Sequence, residues 1–174
     1  MMQKQLEQQT ESSQYLAGVE TDTVVQFLTF QLNEEEYGIS ILNIKEIVDY
    51  GHITKVPMMP DFIAGVINLR GSVVPIVDLA FRFSEQPSAR TKRSSIVILD
   101  AEYESKKMEI GITVDVVNEV LDISSNEIEV TPSFGTKIRT DFISGMGKVK
   151  GQLLVLLNIE KILDIEELSA EESL

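Results

Sequence analysis

The sequence has no cysteine in 174 residues. That excludes disulfides, thiolate metal sites and cysteine nucleophiles together, and it fits a reducing compartment. There is a single histidine, His52, so imidazole chemistry would have no second imidazole to work with. Basic residues are scarce: 15 Lys and Arg stand against 28 Asp and Glu, for a formal charge of −13. Such a balance opposes binding to nucleic-acid phosphates, which needs clustered cations, and docking on anionic membrane surfaces. No apolar run approaches membrane-spanning length; the longest after the polar N-terminus, Leu153 to Leu157, is far too short. The opening segment, MMQKQLEQQTESSQYL, has no apolar stretch that would serve as a signal peptide. These absences describe a soluble cytoplasmic protein with no nucleic-acid partner and no inserted membrane segment.

What the chain does contain is an internal repeat. Asp61 to Leu79 (DFIAGVINLRGSVVPIVDL) returns without a gap as Asp141 to Ile159 (DFISGMGKVKGQLLVLLNI), with five identities in nineteen pairs. Glu36 to Asp49 (EYGISILNIKEIVD) returns as Glu109 to Asp122 (EIGITVDVVNEVLD), again with five identities. The period is too long for a solenoid unit and fits two copies of a small β module.

Taken in order, residues 1–22 read as a flexible polar tail. Val24 to Leu32 predicts a strand, returning after an acidic turn through Tyr37 to Ile41. Leu42 to Asp49 reads as a helical turn passing into a strand, with Ile44, Glu46 and Val48 on one face. Asp61 is placed to cap a turn over Phe62 to Gly65. Val66 to Leu69 and Val73 to Val77 form a hairpin around Arg70-Gly71, in which Pro75 predicts one unpaired edge. Asp78 to Phe83 closes the module as a helical turn. Residues 84–93 are the clearest linker. The second module runs from Ser95 to Leu99, across a charged loop to Met108 to Val114, then Val116 to Leu121. A capped turn at Ser124 to Glu127 and a loop over Val130 to Thr140 follow. A hairpin around Lys150-Gly151 and a turn at Asn158 to Leu163 end it, and residues 166–174 form an acidic tail. About ten short strands argue an all-β fold of two tandem five-stranded barrels, 23–83 and 94–165. Modules this small are marginal alone, so a joint core with a groove at the junction is expected.

Catalytic constellations are missing. Gly145 to Gly151 lacks the spacing of a phosphate loop and has no helix after it, so a hairpin fits better. There is no G-x-S-x-G elbow and no H-E-x-x-H. With so many acids, carboxylate pairs arise by chance and carry no argument for acid–base work. His52 reads as a loop residue. Two polar positions interrupt apolar strands, Glu46 and Arg70. They are either a solvated acid and a turn arginine, or a pair that orients the wall of a groove.

Four segments in order, EEYGISILNIKEI, FIAGVINLRGSVVPIVDL, GITVDVVNEV and FISGMGKVKGQLLVLLNIEKIL, resemble the bacterial chemotaxis coupling proteins, the CheW family. The resemblance spans Val24 to Ile165. It implies two SH3-like barrels packed side by side, no catalytic activity, no metal and no cofactor. It further implies a cytoplasmic adaptor at the receptor array. Its partners would be the cytoplasmic hairpin tip of chemoreceptors and the regulatory domain of the chemotaxis histidine kinase. By motif position the coupling residues fall on Ile44, Glu46, Gly65, Arg70, Val117 and Gly145. Glu46 and Arg70 would form the orienting pair, Ile44 and Val117 the apolar wall, and the glycines tight backbone turns. Val116 and the basic Lys148 to Lys150 depart from the family's pattern. Three rival readings remain: the coupling module of a larger relative carrying a receiver domain, an adaptor for a twitching or developmental kinase, and a ligand-binding β-barrel. Ending at Leu174 without a βα pattern speaks against the first, and long Val, Ile and Leu strands against the hollow interior that the last requires.

Overall fold

The two internal echoes become matching pieces of two sheets, and the sheets are knitted together by exchange. In the computed structural model the described residues are 23–87, 89–130 and 138–164. Both tails and residues 131–137 of the expected loop lie outside them. The strands are β1 (Val24–Leu32), β2 (Glu35–Ser40), β3 (Ile44–Asp49), β4 (Ile63–Leu69), β5 (Ser72–Val77) and β6 (Ser95–Tyr103). They continue with β7 (Lys106–Val114), β8 (Val116–Ser124), β9 (Ile128–Glu129), β10 (Ile143–Val149) and β11 (Gln152–Leu157). Two short helices, α1 (Leu79–Ser84) and α2 (Ile159–Ile162), follow β5 and β11.

One sheet has the order β8-β1-β2-β11-β10-β9 and the other β3-β6-β7-β5-β4. An isolated bridge from Thr54 to Val66 lies beyond β4, as β9 lies beyond β10. With β1/β6, β2/β7, β3/β8, β4/β10 and β5/β11 taken as counterparts, the two orders coincide. The register coincides too. Ile76 and Gly111 pair across β5 and β7, and their repeat counterparts Leu156 and Gly38 pair across β11 and β2.

The expected modules, 23–83 and 94–165, therefore describe the repeats but not the sheets. Hairpin β1-β2 sits between β8 and β11 of the later repeat, and β6-β7 sits between β3 and β5 of the earlier one. The reason lies in burial. Along β6, Ile96 and Ile98 point into a barrel cluster with Val74 and Ile76, while Val97 and Leu99 enter the central core. β1 does the same, Phe27 toward one barrel and Leu28 and Phe30 toward the centre. A strand buried on both faces reads as a continuous apolar run and needs partners on both. Ile96, Val97, Ile98 and Leu99 are all fully buried, and each such side chain contributes roughly 1.5–3 kcal/mol. The central core draws on both sheets and both helices: Phe30, Tyr37, Leu79, Leu99, Ile112, Phe142 and Ile162 all belong to it. The result is two SH3-like barrels packed side by side, their interiors filled by side chains.

Several local expectations change. The charged segment after Leu99 pairs as strand up to a two-residue turn at Glu104 and Ser105. β5 is internal to its sheet, but its ladder to β7 begins at Ile76, just past Pro75, which has no N–H to donate. β4 begins at Ile63, where a helical turn capped by Asp61 was expected. The closing turns behave as expected. Asp78 accepts from Phe81 N at 3.2 Å and Asn158 from Lys161 N at 3.3 Å, each capping its helix.

Candidate functional site

β3 alternates cleanly, with Ile44, Glu46 and Val48 half-buried and Lys45, Ile47 and Asp49 exposed. Ile44 packs on the central core and Val48 on the barrel cluster, so Glu46 is held between two anchored neighbours. Facing it is the tip of the β4-β5 hairpin. Arg70 (φ 53°) and Gly71 (φ 86°) both lie in the left-handed region, as a two-residue turn matched to strand twist requires. Asn68 Oδ1 accepts from Gly71 N at 2.9 Å and braces the turn. The Arg70 guanidinium donates through Nη2 to Glu46 Oε1. Glu46 and Arg70 are thus in contact, with Arg70 also the turn residue of the hairpin.

The pair is lopsided. The Glu46 side chain is 24% exposed and that of Arg70 68%. An exposed ion pair contributes little stability. Its consequence is presentation: a planar cation fixed on one side by a carboxylate, with further N–H donors directed outward. Alongside it, Lys45 Nζ lies 2.5 Å from Glu109 Oε1. The hydrogen bond that Lys45 donates to that carboxylate, followed by the carboxylate's charge, raises the lysine pKa above its ordinary value.

An open groove of about 560 Å³ lies between α2 and the β6-β7 hairpin, lined by Asn43, Asp100, Ala101, Glu102, Ile159 and Leu163 among others. It shares Asp100 and Lys107 with a second hollow of about 410 Å³ that reaches Lys45, Val73 and Pro75. Both hollows lie along the five-stranded sheet, the first closed on its other side by α2 and the second formed by β3, β5, β6 and β7 alone.

The six expected coupling residues divide. Ile44, Glu46 and Arg70 come together on one barrel, while Val117 and Gly145 belong to the other sheet. Ile44, the first residue of β3, and Val117, the second of β8, are repeat counterparts that lean on the same central core. The glycines were expected in turns, and that is corrected. Gly65 and Gly145 sit buried inside β4 and β10, at bulges against β5 and β11. The strand segment beside each leaves no room for a side chain: a Cβ on Gly65 (φ 150°) would lie 2.4 Å from Thr54 O, and one on Gly145 2.8 Å from Ile128 Cγ2. They shape the barrel from within.

Sequence reasoning missed the apolar side chains exposed near this site, Leu42 at 86% and Val73 at 70%. Leu42 carries a faint signal, since it precedes the alternation that begins at Ile44. His52 is exposed in a loop. Among the described residues no His, Cys, Asp and Glu group is placed to hold a metal ion. No helix there is long and apolar enough to cross a membrane.

The fold is thus a pair of SH3-like barrels, one of which carries the Glu46–Arg70 ion pair on its surface. The chain belongs to the CheW-like family: the CheW-like domain model matches residues 26–167. The chain is 38% identical over 144 residues to the chemotaxis protein CheW of Klebsiella aerogenes, covering 83% of this chain and 84% of that one. It is 35% identical to the CheW of Thermotoga maritima over 152 residues, covering 83% and 90%. The crystal structure of the scaffolding protein TtCheW from Thermoanaerobacter tengcongensis superposes with a TM-score of 0.70 at 36% identity, covering 79% of this chain and 86% of that one. The chain is thus a chemotaxis adaptor by family.

Proposed function

We propose that the protein is a non-catalytic cytoplasmic adaptor that couples chemoreceptors to the chemotaxis histidine kinase at the membrane-associated receptor array. The observation that carries this reading is the Glu46–Arg70 clamp, fixed by β3 and a braced turn, on a chain of the CheW-like family. The clamp presents donors to an acceptor on a helical partner, and exposed apolar side chains such as Leu42 supply contact area. Affinity then rests on the apolar anchors and register on the polar rim. Ile44 and Val117 support the wall from beneath, and Gly65 and Gly145 hold the barrel shapes that place it.

The test is a reconstituted kinase assay on membranes carrying a chemoreceptor and a chemotaxis kinase from the same organism. Wild type should raise ATP turnover in an attractant-sensitive way. Arg70→Ala should keep its circular dichroism yet lose most of that activation. If wild type neither activates nor co-sediments with any such pair, the assignment to that pathway fails, and a twitching or developmental kinase becomes the system to assay.

A further inference from the structure

We propose that a second copy of this chain can supply either half of the fold, so that two copies exchange halves across the connection between α1 and β6 and form an intertwined dimer. The residues before this connection hold β1 to β5 and α1, and those after it hold β6 to β11 and α2. Neither half can complete a sheet. The earlier half leaves a slot between β3 and β5 that only a β6-β7 hairpin fills, and the later half leaves one between β8 and β11 for β1-β2. Four ladders, β1·β8, β2·β11, β3·β6 and β5·β7, join the halves, together with the central core. Whether the mate comes from the same chain or another, these contacts are the same.

What favours the closed monomer is the connection alone. α1 stops at Glu85, held left-handed (φ 58°) with its N–H on Phe81 O at 2.7 Å. Thr91 to Ser94 form a small turn of their own, with Ser94 N donating to Thr91 O at 3.2 Å and Thr91 N to Ser94 Oγ at 2.9 Å. Between them, Arg90 reaches back, its guanidinium 4.7 Å from the Tyr50 ring centroid and donating to Tyr50 O at 2.9 Å. No strand of either sheet runs through the segment. A short flexible tether gives an effective concentration on the order of millimolar, so ordinary concentrations keep the halves of one chain together. Shortening the tether removes that advantage while leaving every ladder intact, and a strained hinge is a recognised route to exchange.

The test uses two differently tagged full-length chains, each lacking Ala89 through Arg93, refolded together and examined by size exclusion with light scattering. The expected product has twice the monomer mass, the far-ultraviolet dichroism of wild type, and both tags in one particle. A folded monomer would overturn the proposal, as would a dimer that never mixes tags. If the shortened chain fails to fold, the full-length protein decides the matter through a specific protease site inserted after Ala89. Nicked under native conditions it should remain one particle, and two tagged nicked samples refolded together should scramble their halves. Nicked halves that do not reassociate on refolding would equally overturn it.

Discussion

The two barrels share a plan and differ in what they show to solvent. The caps of α1 and α2, the bulges of β4 and β10, the turns that join β4 to β5 and β10 to β11, and the junction register match position for position, whereas the β6-β7 hairpin is longer than β1-β2. Even the backbone bonds behind the caps agree, Asp78 N to Phe62 O and Asn158 N to Phe142 O, both at 2.7 Å. Polar surface contacts diverge. Glu46 and Arg70 pair, whereas their counterparts Glu119 and Lys150 form no ion pair with each other among the described residues, although Lys150 occupies the same left-handed turn position (φ 51°). Lys148 bonds instead to Glu129, at 2.8 Å. The Lys45–Glu109 ion pair corresponds to a hydrogen bond from Asn118 Nδ2 to Glu36 Oε1 at 3.2 Å. Features that both halves need for folding have stayed alike. Those that differ are surface side-chain contacts, Glu46–Arg70 and Lys45–Glu109 on one barrel and Lys148–Glu129 on the other.

The bulge glycines give this comparison its hardest test. At Gly65 an added Cβ meets backbone at 2.4 Å and needs a φ of 150°, which L residues rarely adopt. At Gly145 the nearest atoms are farther, the Ile128 Cγ2 methyl at 2.8 Å and Glu129 O at 3.0 Å, and no positive φ adds to the strain. Gly65→Ala should therefore cost about 3 kcal/mol or more, and Gly145→Ala about 1–2 kcal/mol. Urea unfolding measures both. Equal losses would mean that the strand beside β4 yields as readily as Ile128, and the bulges would then be mechanically alike.

A smaller effect separates the clamps. A double-mutant cycle on Glu46→Ala and Arg70→Ala should give a stability coupling of about 0.5 kcal/mol, in the range of exposed pairs. The matching cycle on Glu119→Ala and Lys150→Ala should give a coupling near zero. A coupling of several kcal/mol at Glu46 and Arg70 would make the clamp a folding element, and its loss of activation in the kinase assay would then have a structural cause.

Much of the fold was legible because period-two burial and turn chemistry are local. β3 follows its expected alternation residue by residue, and Arg70-Gly71 and Lys150-Gly151 sit where the hairpins turn. Exchange of the hairpins was not legible. The apolar run at Ile96 to Leu99 says that β6 is buried on both faces, but not whose strands cover them. Antiparallel neighbours in sequence announce themselves through a turn, whereas the parallel ladders β5·β7 and β2·β11 join segments with no local signal between them. At the site, Glu46 and Arg70 stood out as polar interruptions of apolar strands. Gly65 and Gly145 could be noted but not placed, since a glycine in a turn and a glycine under a crossing strand look the same in sequence.

The finest contrast lies just before β4 and β10. Arg139 holds Asp141 through two hydrogen bonds, Nε to Oδ1 at 3.0 Å and Nη2 to Oδ2 at 2.6 Å, with its guanidinium 4.4 Å from the Phe142 ring centroid. The repeat places Met59 where Arg139 stands, so the earlier half lacks this clasp. The side-chain bonds from Arg139 lead in holding the Asp141 carboxyl below its ordinary value. A depressed folded pKa gives stability that is fully present above the unfolded aspartate value, about 3.9, and is lost as pH falls through the folded value. Both side chains are nearly half exposed, so solvent screening keeps the contribution small. Arg139→Ala should raise the Asp141 midpoint in a carboxyl-carbon NMR titration and flatten the acid limb of the stability profile. Met59→Ala should leave that limb unchanged. If the Asp141 midpoint stays put when Arg139 is removed, the clasp is a contact without electrostatic consequence, and this difference between the halves is one of shape alone.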